Sequence, residues 1–317
     1  MNKVLVTPKS YHHYKDKAYE LLRTKGYEPI ENKTGRTLTE EELIGLAKEG
    51  VVGVIVGVDP MPAAVIEQLK DVRAISKYGM GVDNIDTVRA SELGIQVRAA
   101  QGTNNVSVAE LAIGLILAAS RHIPAMTSKV KQGSWDRVLG REITGKRLGI
   151  VGGGQIGLEV AKRAQGLQMG VTVYDPFLKD EAFAGKPGIA LERNLDTLFA
   201  ESDYITLHVP AVPDTRGLIN ERTLALMKPS AVLINTSRGE LVDEEALYDA
   251  LIQGRLSAAA TDVFSVEPPQ PGNKLAQLEQ FILTPHTGAF TYEAIERMVL
   301  RSTANLLEML EQDNKPV

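Results

Sequence analysis

The chain has 317 residues, 44% hydrophobic and 24% charged, enough to bury a sizeable core in about two domains. Its 35 basic and 40 acidic residues give a formal net charge of −5, and the basic ones form no stripe interleaved with aromatics, so neither nucleic acid nor an anionic membrane is expected as a partner. Having no cysteine excludes disulfides, thiolate nucleophiles and Cys-ligated metal, and fits a reducing compartment.

In chain order, residues 1–8 read as a short strand entering a loop, without the apolar run or small-residue cleavage site of a signal peptide, so a cytoplasmic location is expected. Short β-branched runs then alternate with helix-period segments, the pattern of parallel sheets with crossover helices. The first series predicts strands at 4–7, 27–31, 52–56, 74–77 and 96–98, with helices at 14–25, 39–49, 63–69 and 87–93. Thr39 caps a Glu-Glu-Glu first turn, and Gly26 and Gly94 stand just past helix ends. Residues 106–120 form a helix that is apolar nearly all round, so it should be covered by protein on several sides. It carries Glu110 and is shorter than the roughly 20 residues needed to span a bilayer. A second series predicts strands at 147–151, 171–175, 204–207, 232–236, 258–262 and 281–284. Pro268-Pro269-Gln270-Pro271 reads as a stiff loop. Finally, Ile295, Met298, Val299, Leu306, Met309 and Leu310 recur at helical spacing, and this last helix is expected to pack back on the first domain.

Gly152-Gly153-Gly154-Gln155-Ile156-Gly157 has G-x-G-x-x-G spacing, a weak signal alone in a chain with 28 glycines. Its context strengthens it, because an apolar strand precedes it and a helix-period run follows. Such a turn sets backbone N–H groups and a helix N-terminus against a pyrophosphate. Gly152 permits the tight turn, Gly154 the approach of the phosphates, and Gly157 the helix–strand contact. Asp175 ends the next strand 18 positions beyond Gly157, near the usual spacing for the acid that accepts from the adenosine ribose. A carboxylate there repels a 2′-phosphate, so NAD is expected and not NADP.

Several motifs follow one another in a specific order: Ser76-Lys77-Tyr78-Gly79-Met80-Gly81-Val82-Asp83-Asn84-Ile85-Asp86, Ser107-Val108-Ala109-Glu110 and the glycine turn. Then come Leu207-His208-Val209-Pro210, Ile234-Asn235-Thr236-Ser237-Arg238-Gly239, Asp262-Val263-Phe264 with Glu267-Pro268-Pro269, and Thr284-Pro285-His286-Thr287-Gly288. Over essentially its whole length the chain resembles the D-isomer-specific 2-hydroxyacid dehydrogenases. The resemblance implies two doubly wound α/β domains: a Rossmann NAD-binding domain at 100–287, inserted into a flavodoxin-like substrate domain at 1–99 and 288–317. It implies catalysis by Arg238, Glu267 and His286. Taken singly, these read as a surface charge, a loop acid and a structural histidine. The chemistry wants these types: a guanidinium fork can hold a 2-keto acid's carboxylate and carbonyl oxygen, and an imidazolium can protonate that oxygen once hydride reaches its carbon. A neighbouring carboxylate keeps the imidazolium charged and oriented.

The resemblance further implies cofactor contacts at Val108, Gln155, Ile156, Pro176, His208, Val209, Pro210, Thr215, Thr236, Ser237, Arg238, Asp262, His286 and Gly288. It places substrate contacts at Tyr78, Gly79, Met80, Gly81, Asn104 and Arg238, through the backbone N–H groups of 78–81 and the side chain of Asn104. Tyr78 has a second reading as a core aromatic. No metal is expected, because the five histidines lack close spacing to acids. A homodimer through the cofactor domain is implied, burying the 106–120 helix and the segment with Trp135, the single tryptophan. The substrate is expected to be 3-phosphoglycerate or a smaller acid such as glyoxylate or hydroxypyruvate. Asp59 stands where some related phosphoglycerate dehydrogenases carry an arginine for the phosphate, and no residues are left for their regulatory domains; both count against a phosphorylated substrate. Two related enzyme classes fit less well: Glu267 stands where formate dehydrogenases carry glutamine, and Met80 where phosphite dehydrogenase carries lysine. The non-enzymatic alternative, an NAD-sensing corepressor, needs long partner-recruiting tails that are not seen here.

Overall fold

A computed structural model describes residues 2–48, 50–179 and 188–312, arranged in two compact units. Expectations for Glu49, the end of the predicted 39–49 helix, and for both chain ends lie outside the described residues.

The first unit contains the chain up to Asn104 and again from Ala289. Its strands are β1 (Asn2–Val6), β2 (Tyr27–Glu31), β3 (Val51–Val56), β4 (Ala74–Lys77) and β5 (Gln96–Ala99). All pair in parallel in the order β2-β1-β3-β4-β5, the flavodoxin-like arrangement. The helices between them are α1 (Lys15–Thr24), α2 (Glu40–Leu46), α3 (Ala63–Ile66) and α4 (Thr87–Glu92). Thr39 closes a capping box with Glu42 at the start of α2. β3 is buried along its whole length because both faces of the sheet are covered, which is why it reads as an unbroken apolar run. On one face α1 and the terminal helix (Tyr292–Gln312) bury Ala18, Leu22, Ile295, Val299 and Leu306 against Val4, Val6 and Ile55. The terminal helix thus packs back on the first sheet, as its spacing predicts. Each such side chain contributes about 1.5–3 kcal/mol relative to exposure.

The second unit runs from Asn105 to Gly288. It opens with the long helix α5 (Asn105–Ser120), so the chain leaves the first unit after Asn104 and not after the expected Ala99. α6 (Ile123–Lys131) follows. The strands are β6 (Arg147–Val151), β7 (Gly170–Tyr174), β8 (Ile189–Glu192), β9 (Tyr204–Leu207), β10 (Val232–Asn235), β11 (Ala258–Thr261) and β12 (Phe281–Leu283). They form a parallel sheet in the order β12-β11-β10-β9-β6-β7-β8, a Rossmann sheet whose switch point lies between β6 and β9. The helices are α7 (Gln155–Gly166), α8 (Leu195–Glu201), α9 (Glu221–Leu226) and α10 (Glu244–Ile252). Alternation along β10 sends Ile234 into the core beneath α5 and α7, and Leu233 into the core beneath α9 and α10. The sequence reading leaves β8 unplaced, since this short edge strand has no fully buried residue.

α5 is buried along most of its surface, at Val108, Ala109, Ala112, Ile113, Leu115, Ile116 and Ala119. Val106 and Leu117 remain 40% and 36% exposed, so the chain's own fold leaves a strip of this helix bare. Among the described residues, no single helix is long and apolar enough to cross a membrane.

Candidate active site

In a parallel sheet every strand delivers its following loop to the same edge. In the second unit that edge receives Gly152 after β6, Asp175 after β7, and His208, Val209 and Pro210 after β9. Thr236, Ser237 and Arg238 follow β10, Asp262 follows β11, and His286 and Gly288 come after β12. Residues far apart in sequence are gathered by topology alone.

The glycine turn is the tightest part. Gly152 has φ +102°, and a Cβ there would lie 2.4 Å from the His208 carbonyl oxygen across the switch point. A Cβ on Gly157 would lie 2.0 Å from the Gly152 carbonyl oxygen. Gly154, which precedes α7, has nothing within 4 Å of its notional Cβ. The chain's own packing therefore requires two of the three glycines. The third keeps open the space at the helix start, as the approach of a pyrophosphate demands. Asp175 accepts the Gly153 N–H on one oxygen and the Phe177 N–H on the other, each at 2.9 Å, and both oxygens keep lone pairs for ribose hydroxyls. Thr236 Oγ1 is buried with no partner among the described residues. These features fit a dinucleotide.

Other residues of the implied cofactor set are held by the chain itself. Gln155 Oε1 accepts from Asn105 Nδ2 at 2.6 Å, Ser237 Oγ donates to the Val209 carbonyl at 2.5 Å, and Thr215 Oγ1 donates to the Pro210 carbonyl at 2.5 Å. Val108 and Gly288 pack together, for a Cβ on Gly288 would come within 3.2 Å of Val108. Ile156 is partly buried against the α5–α7 core, while Pro176 is exposed beside Asp175.

Arg238, Glu267 and His286 share one electrostatic neighbourhood. His286 Nδ1 meets Glu267 Oε2 at 2.7 Å, and Glu267 Oε1 accepts the Phe264 N–H at 3.0 Å. The bond to Glu267 raises the His286 pKa, helped by the charges of Glu267 and Asp262 and opposed by burial and by Arg238. Burial alone would raise the Glu267 carboxyl, but the bonds from His286 and the Phe264 amide, with Arg238's charge, hold it below the usual range. Arg238 Nη1 donates to the Ser237 carbonyl at 2.7 Å. His286 remains 49% exposed at its side chain, with Nε2 directed away from the carboxylate that engages Nδ1.

Two residues without a catalytic role in the sequence reading position this trio. A Cβ on Gly239 would lie 1.9 Å from the Phe264 carbonyl carbon, so the loop after Arg238 lies directly on the loop that leads to Glu267. Only the Arg-Gly pair hints at this in the sequence. Asp262, expected as a cofactor contact, is 2% exposed and committed to the histidine turn. Its Oδ1 accepts from Thr284 Oγ1 at 2.5 Å and the Thr287 N–H at 2.8 Å, its Oδ2 accepts the Gly288 N–H at 2.8 Å, and its carbonyl accepts the His286 N–H at 2.8 Å. This clamp holds His286 at φ +52°, an uncommon backbone state for a residue other than glycine.

In the first unit, the 78–81 loop departs from expectation at its first residue. The Tyr78 N–H donates to the Val56 carbonyl at 2.8 Å and is not free for a carboxylate. Its ring is 8% exposed beside Tyr11, with its hydroxyl 3.0 Å from Ser10 Oγ, so Tyr78 is a core aromatic. Gly79, Met80 and Gly81 offer N–H groups with no partner among the described residues, with Gly79 at φ +130°. Lys77, 6% exposed, donates to the Gly57 carbonyl and to Asn84 Oδ1, tying the loop to the end of β3. Asn104 is buried, and its Oδ1 has no partner among the described residues. Asp59, expected to face and repel a phosphate, is instead 2% exposed, accepting from the Leu38 N–H at 2.7 Å and from Thr7 Oγ1. It braces the first unit internally, and the argument from it against a phosphorylated substrate lapses.

A doubly wound α/β chain with a dinucleotide turn and a His–carboxylate pair at one sheet edge has the make-up of a nicotinamide-dependent oxidoreductase. Residues 113–288 match the D-isomer specific 2-hydroxyacid dehydrogenase, NAD binding domain. The chain is 43% identical over 296 residues to a D-3-phosphoglycerate dehydrogenase of Methanocaldococcus jannaschii, covering 93% of this chain and 55% of that one. It is 41% identical over 284 residues to a hydroxypyruvate reductase of Thermotoga maritima, covering 87% of this chain and 90% of that one. The crystal structure of the TT0316 protein from Thermus thermophilus superposes with a TM-score of 0.87 at 35% identity, covering 98% and 97% of the two chains. The chain therefore belongs to the D-isomer-specific 2-hydroxyacid dehydrogenases, and its second unit is their NAD-binding domain. It spans about half the length of the phosphoglycerate dehydrogenases it matches, at 55% and 52%.

Proposed function

We propose that the protein interconverts a small 2-keto acid and the D-2-hydroxy acid, with NAD(H) as hydride carrier. The observation that carries this reading is the 2.7 Å contact between His286 and Glu267, within reach of Arg238's charge. The nicotinamide, when bound, supplies or accepts the hydride. Gly152, Gly154, Gly157, Asp175 and Thr236 are the residues proposed to hold the dinucleotide, the glycine turn at its pyrophosphate and Asp175 at its adenosine ribose. Arg238 binds the substrate carboxylate and carbonyl oxygen. His286, protonated through its contact with Glu267, gives its Nε2 proton to the carbonyl oxygen as negative charge develops there. In the opposite direction neutral His286 takes that proton from the hydroxyl. A proton donor of this kind has no use in formate oxidation.

The relatives' names point to phosphohydroxypyruvate, hydroxypyruvate and glyoxylate as candidate keto acids. Purified protein should oxidise NADH with at least one acid from a panel of these and pyruvate. No turnover with any of them, alongside normal NADH binding, would reject the reading. We further propose a homodimer through the second unit. Beyond the bare strip of α5, this unit exposes Ile123 and Val130 of α6, 49% and 46% exposed, and Trp135 and Leu139, 82% and 94% exposed. Apolar surface of that extent is what a second copy covers. A concentration-independent monomer in sedimentation would contradict this.

A further inference from the structure

Glu244 is the first residue of α10, and its carboxylate turns toward the loop that carries Glu267. Oε1 accepts both the N–H and the Oγ–H of Ser265, at 3.0 and 2.6 Å, and Oε2 accepts from Asn273 Nδ2 at 3.5 Å. Three donors converge on one side chain, which only an acceptor-only group satisfies fully. The same loop lies against Gly239, where a Cβ would come 1.9 Å from the Phe264 carbonyl carbon. Phe264 in turn donates its N–H to Glu267. Residues 264 and 265 are thus gripped between Gly239 and Glu244, and the grip is passed to Glu267 through one amide. The neighbouring Glu245 differs, reaching only Lys274 in an ion pair whose side chains are 77% and 61% exposed.

We propose that Glu244 is a positioning residue for proton transfer: by fixing Ser265 it holds the 264–267 turn where Glu267 can bond the Phe264 amide and His286 together. The inference rests on the reading of His286 and Glu267 as the proton-transfer pair. Without Glu244 the turn keeps its support from Gly239 but loses its outer anchor, and misplacement of well under 1 Å at a proton-transfer group is costly. The charged groups around His286 are Glu267, Asp262 and Arg238, and of these only Glu267 sits on the anchored loop.

The test pairs a readout that needs no turnover with one that does. Imidazole NMR titration of the full chain should put His286 lower in Glu244→Ala by about 1 unit, a fraction of what a close carboxylate confers. In the same variant kcat for keto-acid reduction should fall about 10-fold while KM stays within about 2-fold. Glu244→Gln, which keeps one acceptor for Ser265, should recover most of both, and Glu245→Ala should change neither. If Glu244→Ala does not fold, Ser265→Ala should show the same lowered titration in smaller degree. An unmoved His286 titration in Glu244→Ala, or in Ser265→Ala where Glu244→Ala does not fold, would overturn the proposal, as would loss of activity through KM alone. A lowered titration in a protein that reduces no keto acid would uphold the positioning role and reject the catalytic reading.

Discussion

The carboxyl ends of β9 and β12 each present a histidine at the same edge of the same sheet, and the two are in opposite electrostatic states. His208, after β9, has its carbonyl against Gly152 of the glycine turn, and its Nε2 meets Thr206 Oγ1 at 2.9 Å. Burial without an acid pushes its pKa down to about 3. His286, after β12, loses less water and gains Glu267 and Asp262, and its pKa is raised. One residue type at one sheet edge has its pKa lowered or raised according to whether a carboxylate reaches it. What β12 has and β9 lacks is a following turn gripped by Asp262 and a facing loop gripped by Gly239.

Removing the titrating histidine gives the largest expected effect. His286→Ala should lose about 10²–10⁴-fold in keto-acid reduction with NADH binding preserved in fluorescence titration. If rate were kept, His286 would be no donor and the contrast between the two histidines would collapse. Arg238→Lys retains the charge but not the fork, and should lose about 10²–10³-fold in kcat/KM, with kcat falling too, because the bond to the carbonyl oxygen strengthens as charge develops. Near-normal turnover, or loss of NADH affinity in its place, would remove Arg238 from the substrate.

Glu267→Gln sharpens the pH side. Reduction needs protonated His286, so in the unmodified protein the rate falls as pH rises through its raised pKa. Without the carboxylate that fall should begin at lower pH, by about 1–3 units. An unchanged profile would mean that Glu267 does not tune His286. Asp175→Ala should narrow the preference for NADH over NADPH several-fold, since roughly 1 kcal/mol of repulsion between close charges in water disappears. Better use of NADPH by the unmodified chain would contradict the role given to Asp175. Smallest of all, His208→Gln should leave the pH profile where it is, since a neutral group has no proton to lose in that range. A shifted profile would make β9 the site of titration.

Much of this was legible beforehand for one reason. Parallel strands buried on both faces tend to be apolar runs, so β3, β6, β9 and β10 stand out, whereas β8, at the sheet edge and only half-buried, does not. Gly152 and Gly157 were legible because a turn that crosses His208 and its own first carbonyl admits no Cβ, so only one residue type can stand there. Arg238, Glu267 and His286 were legible as types in motifs, but nothing in their spacing of 29 and 19 positions says that they meet. Tyr78 and Asp59 show where local reading stops short. Tyr78 reads either as a substrate contact or as a core aromatic, and Asp59 as a charge that would repel a phosphate. Each is buried by partners distant in sequence, Tyr11 and Leu38. The sequence by itself determined the two parallel sheets, the dinucleotide turn and the chemical types available for catalysis, because periodicity and steric exclusion are properties of neighbouring residues. Which charged groups face a ligand, and which carboxylate tunes which histidine, was decided by the tertiary structure, because burial and charge proximity depend on residues that only the folded sheet edge brings together.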